Sequence, residues 1–156
     1  MRWYVALLFW VLIVPPLRSA APQSTASAPE DYSGMYSFLK EGEFVQITIE
    51  EKGVVSGFIS RFGDSPSDKG SFIDQFFKSG RIEGNKVSFT TENVHGVWFT
   101  FDGTCERGPG KKPDDDGYFV VRGTLTRFTT DAEKNTTSQT RQVEFKSFPR
   151  DTSPAQ

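Results

Sequence analysis

The stretch EFVQITIEEKGVVSGFISRF, residues 43–62, decides the fold class. Apolar and polar residues alternate along its first half, so that Val45, Ile47 and Ile49 share one side of an extended chain. The pair Lys52–Gly53 then interrupts the alternation, and glycine accepts the positive φ that a tight turn requires. This order of strand pattern, turn and second apolar run predicts an antiparallel hairpin.

The same alternation recurs along the chain, for example in KVSFTT (residues 86–91) and RQVEFKSF (residues 141–148). Fifteen phenylalanines and few leucines also favour a sheet protein over a helical one. The predicted strands are residues 34–39, 43–51, 54–62, 72–83, 86–91, 95–104, 117–128 and 139–148. Eight consecutive strands with local connections predict an all-β, antiparallel, up-and-down meander that closes into a barrel, because closure removes the exposed edges.

The start of the chain is typical of a secretory signal. Arg2 precedes an apolar run from Trp3 to Val14, and small residues follow as far as Ala21. Twelve residues at about 1.5 Å each span roughly 18 Å, too little for a hydrocarbon core of roughly 30 Å. The predicted organisation is a signal peptide at 1–21, a disordered spacer at 22–33, a β-barrel domain at 34–148 and a disordered tail at 149–156. A secreted or periplasmic location follows from it.

Charge restricts the classes of partner. Cleavage after Ala21 removes two of the 18 basic residues, Arg2 and Arg18, and leaves 16 basic against 20 acidic residues. A mildly acidic domain is a poor partner for nucleic acid or for an anionic membrane. The sequence contains no glycine-rich phosphate loop and no CxxC motif, so no cofactor is indicated.

Several short segments resemble those of the calycin group, which contains the lipocalins and the avidins. SGMYSF (residues 33–38) is similar to the Gly-x-aromatic start of their first strand, and ITIEEKGVVSGFISR (residues 47–61) to the avidin-type strand, glycine turn and second strand. Glycines also interrupt the strand patterns of two further segments in the way typical of these families: FFKSGRIEGNKVSFTT (residues 76–91) and GYFVVRGTLT (residues 117–126). The resemblance implies the eight-stranded fold. It does not imply biotin binding, because Tyr36 stands where these families carry tryptophan and avidin's further tryptophans are missing.

Rare residues collect in HGVWFTFDGTC, residues 95–105, which holds the only histidine and the only cysteine of the chain. Val97, Phe99 and Phe101 form a core face, and His95 falls at its end. No nucleophile or carboxylate lies at a sequence spacing typical of a catalytic partner of His95, so a structural role is favoured over a catalytic one. One histidine and one thiol also disfavour a zinc site, so no metal is predicted. Cys105 is interpreted as an unpaired thiol, with a reactive thiol beside Arg107 as the alternative.

Four residues are predicted to bind a ligand: Tyr36, Trp98, Tyr118 and Arg122. Trp98 lies opposite the apolar face of its strand, so it lines a cavity, is exposed on the outside as a contact surface, or is covered by the flanking loop. Tyr118 is on the same side of its predicted strand as Arg122. Three further arginines also fall within predicted strands: Arg61, Arg81 and Arg127. An inward Arg122 would need a carboxylate or an anionic ligand, whereas an outward Arg122 would pair across strands.

The function predicted from these features is binding, not catalysis. The first hypothesis is an exported barrel that binds a small apolar molecule. The alternative is a secreted inhibitor or protein-interaction module that contacts its partner through the loops at 63–71 and 104–117, around a solid barrel. A barrel-type cyclase or isomerase is the least favoured, because general acid–base partners are missing. An interior cavity of about 300 Å³ would be the mark of an ordinary ligand pocket.

Overall fold

The computed structural model of the protein describes residues 30–64 and 68–150. Its strands are β1 (Gly34–Ser37), β2 (Phe44–Ile49), β3 (Val55–Phe62), β4 (Phe72–Glu83), β5 (Lys86–Thr91), β6 (Val97–Arg107), β7 (Phe119–Thr130) and β8 (Thr136–Lys146). They form one sheet in chain order, and every neighbouring pair is antiparallel. The predicted all-β meander of eight strands is confirmed.

The strand boundaries differ from the prediction where a turn interferes. β6 begins at Val97 and not at residue 95, because His95 and Gly96 have φ angles of 51° and 79° that belong to a turn. β8 begins earlier than predicted, at Thr136, because it pairs with β7 as far as Thr130. The predicted turn at Lys52–Gly53 is present, with φ angles of 61° and 75°.

The sheet curls until its first and last strands meet. Tyr36 forms a bridge with Ser147, and the Phe148 N–H donates to the Met35 carbonyl at 2.8 Å. This seam is short because β1 has four residues whereas β8 has eleven. Among the described residues, the first part of β8 therefore has a strand partner on one side only.

Aromatic side chains fill the middle of the barrel. Phe89 stacks on Phe77, with ring centroids 4.2 Å apart, and on Phe101 at 5.2 Å. Phe101 in turn contacts Phe145 at 5.6 Å. Gly57 of β3, in the motif on which the resemblance rests, has a φ of 153°, and a Cβ there would lie 2.9 Å from the ring of Phe77. The glycine thus lets the Phe77 ring lie against the β3 backbone.

Residues from both termini cover one end of the barrel. Tyr32 is buried and contacts Phe119 edge-on at 4.9 Å, and Arg150 donates to the Asp31 carbonyl at 3.2 Å. Residues 30–33, the described part of the predicted spacer, are therefore packed against the barrel. The predicted signal peptide lies outside the described residues, and the division into segments stays a prediction. Among the residues that the structure describes, no helix is long and apolar enough to cross a membrane.

Candidate functional site at the open end of the barrel

The turns that follow β1, β3, β5 and β7 surround the end of the barrel opposite to the termini, here called the open end. The inward-facing side chains change from aromatic to polar as the strands approach it. Arg61 lies two residues after buried Ile59 on β3, and Arg127 two residues after buried Leu125 on β7. Because side chains two apart on a strand share a face, both arginines point into the barrel.

Arg61 is held in a fixed orientation deep in the open end. Its side chain is 5% exposed, and its Nε donates to Gln75 Oε1 at 3.1 Å. The Gln75 amide is itself fixed, since its Nε2 donates to the carbonyls of Glu92 and Val97 at 2.7 Å each. Burial lowers the pKa of the Arg61 guanidinium. An arginine nevertheless stays charged in proteins, so this is a buried cation that needs an anion.

A single carboxylate lies between the two inward arginines. Asp64 Oδ1 is 3.6 Å from Arg61 Nη1, and its Oδ2 is 2.5 Å from Arg127 Nη1. The Nε of Arg127 is buried and has no hydrogen-bond partner in the described part of the chain. A buried donor without a partner is costly, so this N–H is suited to an acceptor that enters from outside.

Two adjoining cavities give access to these groups. A narrow one of about 50 Å³ lies between Arg61, Asp64 and Phe99, and an open cleft of about 310 Å³ is lined by Arg127, Arg141 and their β8 neighbours. Arg127 and Arg141 border both. The charged residues that line the narrow cavity are four cations and two carboxylates: Lys40, Arg61, Arg127, Arg141, Glu43 and Asp64. The lining of this cavity therefore has an excess of positive charge.

Glu43 contributes a negative charge near Arg61, and its carboxylate also caps a turn. Its Oε1 accepts from the Phe62 N–H and its Oε2 from the Lys40 N–H, each at 3.1 Å. The same turn is closed by a hydrogen bond from the Phe38 N–H to the Glu43 carbonyl. The role of Glu43 is therefore to shape the rim of the cleft beside β1.

The structure gives His95 a carboxylate neighbour that sequence spacing did not reveal. Its Nδ1 lies 2.9 Å from Asp68 Oδ1, across the turns that follow β3 and β5. The imidazole is 62% exposed and the Asp68 side chain 10% exposed. His95 thus lies in a turn at the open end, paired with a loop residue, and not on the core face of β6.

The two tyrosines predicted to bind a ligand do not lie at the open end. Tyr36 is fully buried, and its hydroxyl donates to the Tyr32 carbonyl at 2.5 Å. Tyr118 is half-buried at the end covered by the termini, with the Arg107 guanidinium 4.0 Å above its ring. Both side chains pack with neighbouring protein groups at that end.

Trp98 and Arg122 lie on the outer surface. Trp98 stacks on Phe128 of β7, with centroids 5.0 Å apart and an interplanar angle of 5°. Arg122 pairs with Glu144 at 2.7 Å and with Glu106 at 3.0 Å, which is the outward, cross-strand arrangement. The four predicted residues are not brought into one site, and their role in binding stays a prediction.

The two loops of the alternative hypothesis lie at opposite ends of the barrel. The described part of residues 63–71 borders the open end, whereas residues 108–117 follow β6 at the end covered by the termini. The predicted loop at 104–117 also starts too early, because β6 continues to Arg107. One compact partner would therefore contact only one of these loops.

Cys105 is buried beside the core of that covered end. It is 1% exposed, and burial raises the pKa of its thiol to about 12. Since the thiolate is the reactive form, this thiol is inert in the folded protein. The interpretation as an unpaired thiol agrees with this environment, and the nearby basic residues do not lower its pKa.

Three comparisons with known proteins bear on the fold. No protein family and no curated protein sequence matches the chain. Among solved structures it is similar to rhizavidin, with a TM-score of 0.57, 12% sequence identity and coverage of 79% of this chain and 87% of rhizavidin. For the rhizavidin–biotin complex the TM-score is 0.57 and the sequence identity 13%, with coverage of 80% of this chain and 98% of that one. For apo short afifavidin the TM-score is 0.55 and the identity 15%, with coverage of 74% of this chain and 94% of that one. The fold is that of an avidin-like barrel, as the resemblance implied.

Proposed function

We propose that this protein is a binding protein for a small anionic molecule, which it holds at the open end of its barrel. The observation that carries the proposal is the buried Nε of Arg127, which has no partner within residues 30–64 and 68–150, beside the buried guanidinium of Arg61. Asp64 pairs with both arginines through their Nη atoms, so the Arg127 Nε is left for an anionic group that enters from outside. A carboxylate, sulfate or phosphate group matches the planar array of guanidinium donors.

The size of the site limits the ligand. The open cleft of about 310 Å³ lies at the lower end of the range for ligand pockets, roughly 300–1,000 Å³. The narrow cavity of about 50 Å³ holds little more than the charged group itself. The ligand is therefore a small anion whose remaining atoms lie along Gln139 and Thr140 of β8. This lining favours an anionic ligand over the apolar one that the sequence suggested.

The fold supports a binding role. One of the similar barrels, rhizavidin, has been crystallised with biotin. We propose no enzymatic activity, since the cleft gathers guanidinium groups and carboxylates that are already engaged. The apolar leader supports a secreted or periplasmic location, where such a protein would encounter an extracellular metabolite.

Calorimetric titration tests the proposal. The purified protein is titrated at low ionic strength with inorganic phosphate, inorganic sulfate and a set of small carboxylates that includes biotin, because salt would screen the site. At least one probe binds. Arg127→Gln weakens its binding by about 10- to 100-fold, since a charge-assisted hydrogen bond contributes about 1.5–3 kcal/mol.

Arg122→Gln is the matched control, because it removes a guanidinium from the outer face of the same strand. Its affinity for the probe equals that of the wild type. Absence of binding by every probe, or equal losses in Arg127→Gln and Arg122→Gln, would show that the cleft is not the site.

A further inference from the structure

A cluster of five phenylalanines covers the outside of β2, β3 and β4. We call it the phenylalanine face: Phe44, Phe58, Phe62, Phe72 and Phe76. Their rings contact one another across the strands, with centroids 5.1 Å apart for Phe62–Phe72 and 5.5 Å apart for Phe58–Phe76. The barrel core lies on the other side of the sheet, so these rings contribute nothing to it.

The phenylalanine face is exposed to an unusual degree. Phe62, Phe72 and Phe76 are 41%, 48% and 56% exposed. Since burial of one aromatic side chain removes about 150–250 Å² from water, these three rings alone expose about 300 Å². Met35, 41% exposed, extends the face across β1 in register with Gln46. Contiguous apolar patches of a few hundred Å² on a monomer are often functional, so this face is a candidate interaction surface.

The opposite outer surface of the barrel exposes less apolar area. Thr90, Thr100, Thr126 and Thr140 lie in register across β5, β6, β7 and β8. Trp98 and Phe128 lie beside this row, but they stack on each other and both are partly buried. Among the described residues, four of the six exposed large apolar side chains lie on the side of the phenylalanine face: Met35, Phe62, Phe72 and Phe76.

The charges on β4 indicate what covers the phenylalanine face. Asp74 and Lys78 lie two residues before and two residues after Phe76, and both are exposed. Consider a two-fold axis that lies in the plane of the interface and runs perpendicular to β4 at Phe76. This axis brings the Phe76 side chains of the two copies against each other. The same axis brings Asp74 opposite the partner's Lys78 and Lys78 opposite the partner's Asp74. The face is therefore complementary to itself in charge, as a two-fold symmetric interface requires.

We propose that the phenylalanine face binds a second copy of this chain, with β4 antiparallel to its counterpart across the interface. The phenylalanines form the apolar core of the contact. Polar residues around them, such as Asp74 and Lys78, complete the roughly 800 Å² per partner of a standard interface. A lipid surface is disfavoured as the occupant, because Asp74 accepts a hydrogen bond from Ser60 in the middle of the face. Burial of that charge in hydrocarbon would be costly.

Disulfide trapping tests the predicted axis. Phe76→Cys places two thiols together at the two-fold axis, so mild oxidation converts most of the protein to a covalent dimer. The native thiol does not interfere, because Cys105 is buried. Thr126→Cys, on the polar outer face, is the matched control and gives little covalent dimer. Equal cross-linking of the two variants would overturn the proposed interface.

Charge exchange tests the predicted partners without a thiol. Analytical ultracentrifugation of the wild type shows a dimer at concentrations of about 100 µM or below, within the range expected of an interface this size. Asp74→Lys and Lys78→Asp each weaken dimerisation at least tenfold, because each places like charges opposite each other. The double variant, which exchanges the two charges, restores it.

Three results would overturn the proposal. The first is a wild type that is monomeric at about 100 µM. The second is a double variant that dimerises no more strongly than the single variants. The third is a monomer that floats with neutral phosphatidylcholine vesicles, which would assign the face to lipid. The phenylalanine face is separate from the arginines of the cleft, so Arg127→Gln leaves dimerisation unchanged. The two proposals therefore fail independently.

Discussion

The position of an arginine along a strand decides its chemistry in this barrel. Arg122 and Arg127 belong to the same strand, five residues apart, and so project to opposite faces. Arg122 faces water between two glutamates, whereas Arg127 points into the open end, and its buried Nε has no partner among the residues that the structure describes. Only the second environment leaves a donor for a ligand, so the face, and not the residue type, identifies the candidate site.

The Cys105 thiol gives a prediction at the same scale. Its pKa is about 12 in the folded protein, against an ordinary value of 9.0. The unfolded chain therefore loses this proton first, so the contribution to stability is complete below about pH 9 and falls as the pH rises toward 12. Between about pH 8 and pH 10.5 the wild type loses about 2 kcal/mol through this group, at about 1.4 kcal/mol per pH unit.

Urea unfolding of the wild type and of Cys105→Ala across this range measures that loss. The variant lacks the pH-dependent component, although the small cavity that it creates lowers its stability at every pH. Parallel stability curves for the two proteins would contradict a buried, protonated thiol.

The sequence identified the strands better than it identified the inward faces. Strand patterns placed Arg61 and Arg127 correctly within strands, but the alternation around Tyr118 and Arg122 suited either face. The sequence did contain a pattern that indicates the inward face of both arginines. Arg61 lies two residues after Ile59, and Arg127 lies two residues after Leu125. The pair of Asp64 with both arginines depends on a turn between β3 and β4, and no period in the sequence encodes that contact.

The unequal lengths of β1 and β8 shape the molecule at the level of its elements. β1 pairs with the end of β8 through a seam of a few residues, and the remaining edge of β8 borders the open cleft. A longer β1 would cover Arg141 and close the cleft. The short seam therefore both completes the barrel and leaves the open cleft accessible.

Truncation of the chain measures what the seam contributes. Removal of residues 147–156 eliminates four backbone hydrogen bonds: Ser147 N–H to the Phe119 carbonyl, Gly117 N–H to the Ser147 carbonyl, Phe148 N–H to the Met35 carbonyl and Arg150 N–H to the Pro113 carbonyl. At about 1 kcal/mol each, and with the side-chain contacts of Arg150 also lost, we expect a destabilisation of about 4–5 kcal/mol in urea unfolding. Removal of residues 151–156 alone is the control and leaves stability unchanged. Equal stability of the two truncated chains would mean that the seam is not needed.

At the scale of the whole molecule, the barrel separates three tasks. Its aromatic middle provides stability, its open end provides charge, and one side of its outer surface provides apolar contact area. An eight-stranded barrel has an interior just wide enough for side chains or for one small ligand. Here the rings of Phe77, Phe89, Phe101 and Phe145 occupy that interior. The proposed ligand would therefore be confined to the rim, where the lining is charged.

A cavity-creating substitution tests whether the interior is filled. Phe101 is 1% exposed, so Phe101→Ala removes a ring from the middle of the core and costs about 3–5 kcal/mol in unfolding free energy. The resulting space is lined by apolar groups and binds benzene, as dry apolar cavities do. Benzene thus raises the melting temperature of the variant, because a ligand that binds only the folded state stabilises it. The wild type shows no such rise. A rise in the wild type would reveal an apolar pocket inside the barrel and would favour an apolar ligand over the anion proposed for the open end.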